Sequence, residues 1–441
     1  MTLKFGTDGV RGVADEELTP ALVMNLGRAT ARVLGARTFV VGRDTRRSGP
    51  HLQEAFSRGV VAEGADVVDI GVLPTPAVAG LCAARGTAGA VVSASHNPWT
   101  DNGVKVFAPG GSKLSDAVEE RLEAELAALV RSPDAETGGG RVDVDNGAAD
   151  WYVAQLLRSL EGRSLGGLHV VLDCANGASS PVAARVFTEA GARVEVIHAE
   201  PDGTNINRAC GSTHPDDLQK AVVAAGADAG LAFDGDADRV VAVDGTGALV
   251  DGDRLIALCA LDRRDRGVLP GNTVVVTVMT NLGFRLAMAE HGIDVVETQV
   301  GDRYVLEALE QGGWSLGGEQ SGHVIFRDLA TTGDGLLTGL QLLDVVARSD
   351  RSLADLAANA MQRFPQVLRN VRVASREGLD SATALWDEVA AVEQRLGSQG
   401  RVVLRPSGTE PVVRVMVEAP TQEQAEAETA HLAAVVEKTC R

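Results

Sequence analysis

Gly64-Ala65-Asp66-Val67-Val68 reads as a junction: a glycine that stops a helix, followed at once by a β-branched run that starts a strand. The same succession recurs at Gly191-Ala192-Arg193-Val194-Glu195-Val196 and at Gly292-Ile293-Asp294-Val295-Val296. Three such junctions spread along the chain predict three α/β units in tandem, each returning a helix to a sheet. Upstream, Thr19 as N-cap, Pro20 at the first helical position and Gly35 past the end predict one helix, followed by a strand over 38–41, a helix after Pro50 and a strand over 66–70. From about Pro365 the order is strand, helix, strand, strand, helix, the pattern of a small α+β domain. The expected fold class is therefore α/β, three tandem mixed-sheet domains at 1–150, 151–250 and 251–364, with a C-terminal α+β domain at 365–441. The polar, glycine-rich 132–140 reads as a linker or surface loop near the first boundary.

Bulk properties agree with several domains and narrow the partners. A chain of 441 residues exceeds what one hydrophobic core serves. Its net charge of −19 argues against nucleic acid or an anionic membrane surface as partner. Cys82, Cys174, Cys210, Cys259 and Cys440 are scattered and odd in number, which fits free thiols in a reducing compartment. No apolar leader follows Lys4, Phe5 and Gly6, and no segment has the length to cross a bilayer, so the expected location is the cytoplasm.

Four loops concentrate reactive groups at expected strand ends. Ser93-Ala94-Ser95-His96-Asn97-Pro98 follows an apolar run and presents Ser95, a nucleophile or phosphoryl carrier; taken alone, an ordinary turn accounts for it. His96 is the weaker candidate there, since an adjacent residue need not point at Ser95. Asp234-Gly235-Asp236-Ala237-Asp238-Arg239 alternates three carboxylates with small residues between apolar strands. In an extended loop the three converge, and their repulsion calls for a hard cation such as Mg²⁺ or Ca²⁺. Gly317-Gly318-Glu319-Gln320-Ser321-Gly322-His323 supplies the mixed donors and acceptors that a polyhydroxylated ligand needs. Arg405-Pro406-Ser407-Gly408-Thr409-Glu410-Pro411 joins a guanidinium, two hydroxyls and glycine backbone in a phosphate cradle. Arg11, in a glycine-punctuated loop at 6–12, can meet an anion, and 331–335 caps a helix over 336–347. Together these loops point to phosphoryl transfer on a phosphorylated polyol, with Arg11, Lys105 or Arg239 neutralising charge.

On these four motifs, in this order, the chain resembles the α-D-phosphohexomutase family over essentially its whole length, and most closely that family's bacterial glucosamine-phosphate branch. The resemblance implies four domains around one central cleft. It implies that Ser95 is a phosphoserine that joins Asp234, Asp236 and Asp238 as ligands of one Mg²⁺ per chain. Glu319, Ser321 and His323 would contact the sugar, with Arg239, and Arg405, Ser407, Gly408 and Thr409 would hold its phosphate. His323, Lys105 and Arg11 match positions implicated in acid/base work. The implied reaction interconverts glucosamine 6-phosphate and glucosamine 1-phosphate, with glucosamine 1,6-bisphosphate as intermediate and activator, on the way to UDP-N-acetylglucosamine. The implied partner is a phosphorylated hexosamine, with the chain a monomer or homodimer. Gln320 favours the glucosamine branch; a phosphomannomutase/phosphoglucomutase of the same family is the alternative. A phosphohydrolase with Asp234 as nucleophile and a non-catalytic sugar-phosphate binder are the readings from other classes.

Overall fold

The structure, a computed structural model, describes residues 9–131, 138–373, 379, 382–406 and 412–439. Ser407, Gly408, Thr409 and Cys440 lie outside the described residues.

Four sheets follow one another along the chain. The first has six strands in the order Val10–Val13, Asp101–Phe107, Ala88–Val92, Thr38–Arg43, Asp66–Val72 and Val142–Val144. Its first three strands pair antiparallel and the rest parallel, so the sheet is mixed. The second runs Leu249–Val250, Val240–Asp244, Ala229–Phe233, His169–Asp173, Arg193–Ile197, and the third Asp294–Thr298, Thr273–Thr277, Leu316–Gly318, Val324–Phe326. Both combine parallel and antiparallel pairs. The fourth is a three-stranded antiparallel sheet, Gln366–Arg372, Val412–Glu418 and Arg401–Pro406, with helices Thr383–Leu396 and Gln422–Thr439. This is the expected architecture of three mixed α/β domains and one α+β domain.

Local chemistry sets the elements. In the helix Pro20–Leu34, Thr19 Oγ1 accepts the Leu22 amide and Gly35 ends the run at φ 61°. The strands Ala88–Val92, Ala229–Phe233 and Thr273–Thr277 are buried throughout, because each lies inside its sheet with both faces covered; hence their continuous apolar composition. One apolar cluster runs from Val40 and Val78 of the first domain through Phe187 and Phe233 of the second to Leu255, Val276 and Leu340 of the third. The C-terminal domain keeps its own cluster around Val392, Val415 and Leu432. The three α/β domains thus share a core, whereas the fourth is joined by polar contacts described below. Among the described residues no helix is long and apolar enough to cross a membrane.

Candidate active site

Ser95 sits just beyond the buried strand Ala88–Val92, fully buried, with φ 51°. A left-handed conformation costs a non-glycine residue about 1–2 kcal/mol, so neighbours must hold it. They do so from two domains. The Ser95 amide donates to Ser93 Oγ (3.0 Å), which donates to Asp44 Oδ2 (2.7 Å). Arg46, paired with Asp44 (2.8 Å), donates from Nη2 to the Ser95 and Asn97 carbonyls (2.8 and 2.9 Å). Asn207, from the second domain, donates to the same two carbonyls (2.8 and 3.1 Å). In this left-handed turn His96 does face Ser95, its Nδ1 3.3 Å from Ser95 Oγ. Burial, then Arg239 and Arg11, push the His96 imidazole down to about 4, so it is neutral at physiological pH.

Ser95 Oγ donates to Asp234 Oδ2 at 2.6 Å, which joins the first and second motifs directly. The aspartate loop is a tight turn and not an extended segment: the Ala237 amide donates to the Asp234 carbonyl (3.0 Å) and Ala237 has φ 57°. That turn, more than alternation, brings the three carboxylates together. One oxygen from each of Asp234, Asp236 and Asp238 lies within 4.8 Å of the others, and all three residues are buried. Lys105 Nζ bridges Asp236 Oδ2 (2.7 Å) and Asp238 Oδ2 (2.8 Å), and Thr75 Oγ1 donates to Asp236 Oδ2 (2.6 Å). Burial, then Asp238 and Asp236, push Asp234 up to about 8. Burial opposes ionisation of Asp238 as well, but Lys105, His323 and Arg239 hold it well below the usual carboxylate range. Asp236 Oδ1 and Asp238 Oδ1 are buried without a hydrogen-bond partner. Two orphaned carboxylate oxygens beside a third carboxylate, with only oxygen donors, are what a hard divalent cation such as Mg²⁺ fits.

The third motif closes over this loop. Gly322, at φ 91°, approaches so closely that a Cβ would stand 2.0 Å from the Val240 carbonyl, while its own carbonyl accepts the Val240 amide (3.1 Å). Glu319 Oε1 accepts the Gly301 amide (3.0 Å), and Ser321 is exposed. His323 is buried, with Nδ1 3.7 Å from Asp238 Oδ1 and Nε2 3.4 Å from Asp302 Oδ2. Burial disfavours its charged form, yet the two carboxylates raise its pKa overall. Asp302 in turn pairs with Lys113 of the first domain.

The segment 333–335 does more than cap a helix. Asp334 Oδ1 accepts the Leu337 amide (3.0 Å) and Oδ2 accepts Tyr152 Oη–H (2.9 Å). On either side, the Gly333 amide lies 3.3 Å from His323 Nε2, and the Gly335 amide donates to the Ala237 carbonyl (3.0 Å). A Cβ on Gly333 would stand 2.5 Å from the His323 ring. The segment is a clasp that fixes His323 and the apex of the aspartate loop together.

Arg405 lies inside the strand Arg401–Pro406, opposite Arg414 on Val412–Glu418. Burial and Arg414 lower its pKa, while Glu319 opposes them, which puts Arg405 within electrostatic reach of the sugar-suited loop. Arg414 escaped the sequence reading; its signal is a lone arginine in the apolar run Val412-Val413-Arg414-Val415-Met416-Val417. Asp44, Arg46, Thr75 and Asn207 escaped it too, because their role exists only across tertiary contacts. Arg11 lies opposite Gly103 on the edge strand, within electrostatic reach of His96, and Arg239 Nη1 lies 3.4 Å from His96 Nδ1. Ser95, Asp234, Asp236, Asp238, Lys105, Arg239 and His323 therefore converge, with Arg11 beside them. Glu319 and Arg405 lie within electrostatic reach of each other.

Similarity to known proteins follows the same four-part division. The chain matches the phosphoglucomutase/phosphomannomutase α/β/α domain I over residues 2–131, domain II over 150–247, domain III over 251–364 and the C-terminal domain over 368–435. It is 55% identical to a phosphoglucosamine mutase of Rhodococcus jostii (strain RHA1), over 94% of this chain and 95% of that protein. It is 53% identical to a phosphoglucosamine mutase of Kineococcus radiotolerans, over 99% of each. Among solved structures, a phosphoglucomutase/phosphomannomutase family protein from Burkholderia thailandensis superposes with a TM-score of 0.82 at 27% identity, covering 98% of this chain and 97% of that one. An Aspergillus fumigatus N-acetylphosphoglucosamine mutase, solved with GlcNAc-6P and magnesium, shares the fold at a TM-score of 0.73 and 19% identity, over 100% of this chain and 96% of that one. With all four domains matched in order and relatives above half identity over nearly the full length, this chain belongs to the phosphoglucomutase/phosphomannomutase family of phosphohexomutases.

Proposed function

We propose that the chain interconverts glucosamine 6-phosphate and glucosamine 1-phosphate through a phosphoserine at Ser95 and a glucosamine 1,6-bisphosphate intermediate, in the cytoplasm. The observation that carries the reading is the 2.6 Å hydrogen bond from Ser95 Oγ to Asp234, which sets a serine hydroxyl on the aspartate cluster from another domain. The choice of sugar rests on the phosphoglucosamine mutases that the chain resembles at 55% and 53% identity.

In the forward half-reaction the Oγ–P bond of phosphorylated Ser95 breaks and a P–O bond forms to the C1 hydroxyl of the bound 6-phosphate. In this reading His323 takes the hydroxyl proton, while Lys105 and Arg11 steer it through their positive charge. Ser95 Oγ regains a proton and again donates a hydrogen bond to Asp234. The bisphosphate then turns over, and its C6 phosphoryl group passes to Ser95 by the reverse steps, so phosphate is moved and none is released. Asp234, Asp236 and Asp238 would hold Mg²⁺, which would supply charge neutralisation at the phosphoryl oxygens. Arg405 and Arg414, with Ser407, Gly408 and Thr409, hold the phosphate that is not reacting, and Glu319 and Ser321 hold sugar hydroxyls. Burial of Ser95 keeps water from the phosphoester.

Incubation with glucosamine 1,6-bisphosphate, followed by peptide mass spectrometry, tests the carrier. A phosphate on Ser95 is expected. A hydroxylamine-labile phosphate on Asp234 would contradict the reading and favour an aspartyl phosphohydrolase.

A further inference from the structure

A second cluster of metal-ligating side chains lies in the second domain, on the loops that follow the strands His169–Asp173 and Arg193–Ile197. Those strands are parallel neighbours, and their carboxyl ends open beside the point where the sheet order reverses around His169–Asp173, a recurrent place for ligands in α/β sheets. One donor atom each from Asp173, His198 and Cys210 lies within 4.8 Å of the others. Asp173 and Cys210 are fully buried, and His198 is partly open to a cavity of about 640 Å³ that Asn176 and Asn205 also line.

A purely structural role covers only part of this cluster. Asp173 has one: its two carboxylate oxygens accept the Ala175 and Gly211 amides (2.9 Å each), which ties the loops down. His198 Nδ1 is buried 3.1 Å from Asp173 Oδ2, without a well-formed hydrogen bond, and this ion pair raises the imidazole pKa, so the two groups already attract one another where a metal would sit between them. Cys210 has as its polar neighbour the Asn176 amide at 3.9 Å. Each group is nevertheless oriented from behind, as metal ligands are: His198 presents Nε2 to Asp217 Oδ2 (3.8 Å), Asp173 is held by two backbone amides, and Cys210 is faced by Asn176.

We propose that Asp173, His198 and Cys210 form a binding site for a borderline divalent transition metal, Zn²⁺ or Co²⁺, with the fourth position open to water from the adjoining cavity. The donor set of one carboxylate oxygen, one imidazole nitrogen and one thiolate selects such ions, whereas the all-oxygen aspartate cluster selects Mg²⁺. The thiol proton is released to solvent on binding, so occupancy rises with pH. The site lies on the same loops as Asn207, whose amide nitrogen donates to the Ala175 carbonyl (2.9 Å) and whose side chain clamps Ser95.

The test is a Co²⁺ titration of the full chain with Mg²⁺ in excess, read by the near-ultraviolet thiolate-to-cobalt charge-transfer band. Binding of one Co²⁺ with that band is expected, reversed by Zn²⁺. Cys210→Ser should abolish the band, and Asp217→Asn, at an exposed position behind His198, should weaken binding about 10-fold. If Cys210→Ser does not fold, His198→Ala serves in its place and should remove the band likewise. Absence of a charge-transfer band in the wild type, or its persistence in Cys210→Ser or His198→Ala, overturns the proposal.

Discussion

Asp236 shows how one carboxylate divides its work. Oδ2 accepts from Lys105 and Thr75, which fixes the side chain, and Oδ1 is left buried and unpaired. Asp236→Asn keeps the shape and removes one negative charge. Its apparent Mg²⁺ affinity should fall at least about 10-fold, in line with the loss expected when a metal's immediate surroundings are altered. Without Mg²⁺ the variant should melt lower, because buried Lys105 keeps only Asp238 as an ionised partner, and with saturating Mg²⁺ it should gain less. Paired thermal melts with and without Mg²⁺ check both, and an unchanged Mg²⁺-dependent shift would remove Asp236 from the ligand set. His96 shows the limit of reading single residues from sequence. Adjacency alone left its direction open, and the left-handed backbone at Ser95, fixed by Arg46 and Asn207 from elsewhere in the chain, turns it toward Ser95.

At the scale of elements, the clasp 333–335 is the feature with the most measurable consequences. Asp334 caps the helix Gly335–Arg348 and holds a buried tyrosine, yet burial raises its carboxyl from 3.8 to about 6. A raised folded-state value means that Asp334 adds stability below pH 3.8, which is lost as pH rises through about 6. Asp334→Asn keeps the cap and can donate to Tyr152 Oη, so its melting temperature should equal or exceed the wild type above pH 6 and lose that advantage toward pH 4. Asp334→Ala loses the cap and strands the tyrosine hydroxyl, at a cost of about 2–4 kcal/mol. Denaturant midpoints across pH measure both; an alanine variant as stable as the asparagine variant would dismiss the clasp. Elements were legible where their signals are local: Thr19, Pro20 and Gly35 bracket the helix Pro20–Leu34, and Ala229–Phe233 reads as a buried strand from composition alone. The strand Val142–Val144 was not, since its three residues are exposed and it exists through pairing with Asp66–Val72. The aspartate loop was legible in content and not in shape, because a left-handed alanine leaves no compositional trace.

At the scale of the whole molecule, one apolar core unites three domains, and the fourth is latched by a small buried polar network. Glu418, fully buried, accepts from Arg401 Nε (2.6 Å), the Leu282 amide (3.0 Å), Asn281 Nδ2 (3.2 Å) and Gln366 Nε2 (3.0 Å). Arg401 also donates to the Val278 carbonyl (3.0 Å) and to the Thr280 carbonyl. Glu418→Ala leaves a buried guanidinium without its carboxylate, a loss of about 3–5 kcal/mol. Because the same domain carries Arg405 and Arg414, its loosening should raise KM for the sugar phosphate and the radius of gyration in solution scattering together; a stable, compact variant with normal KM would mean that the latch lies elsewhere. A mutase must keep its bisphosphate while the sugar turns over. Phosphorus NMR of the protein with Mg²⁺ and glucosamine 6-phosphate, run beside Ser95→Ala, tests that most directly. The account predicts the 1-phosphate resonance at constant total ester in the wild type, conversion slower with glucose and mannose 6-phosphates, and none in the variant. Inorganic phosphate in place of the 1-phosphate, or unimpaired conversion by Ser95→Ala, would contradict it.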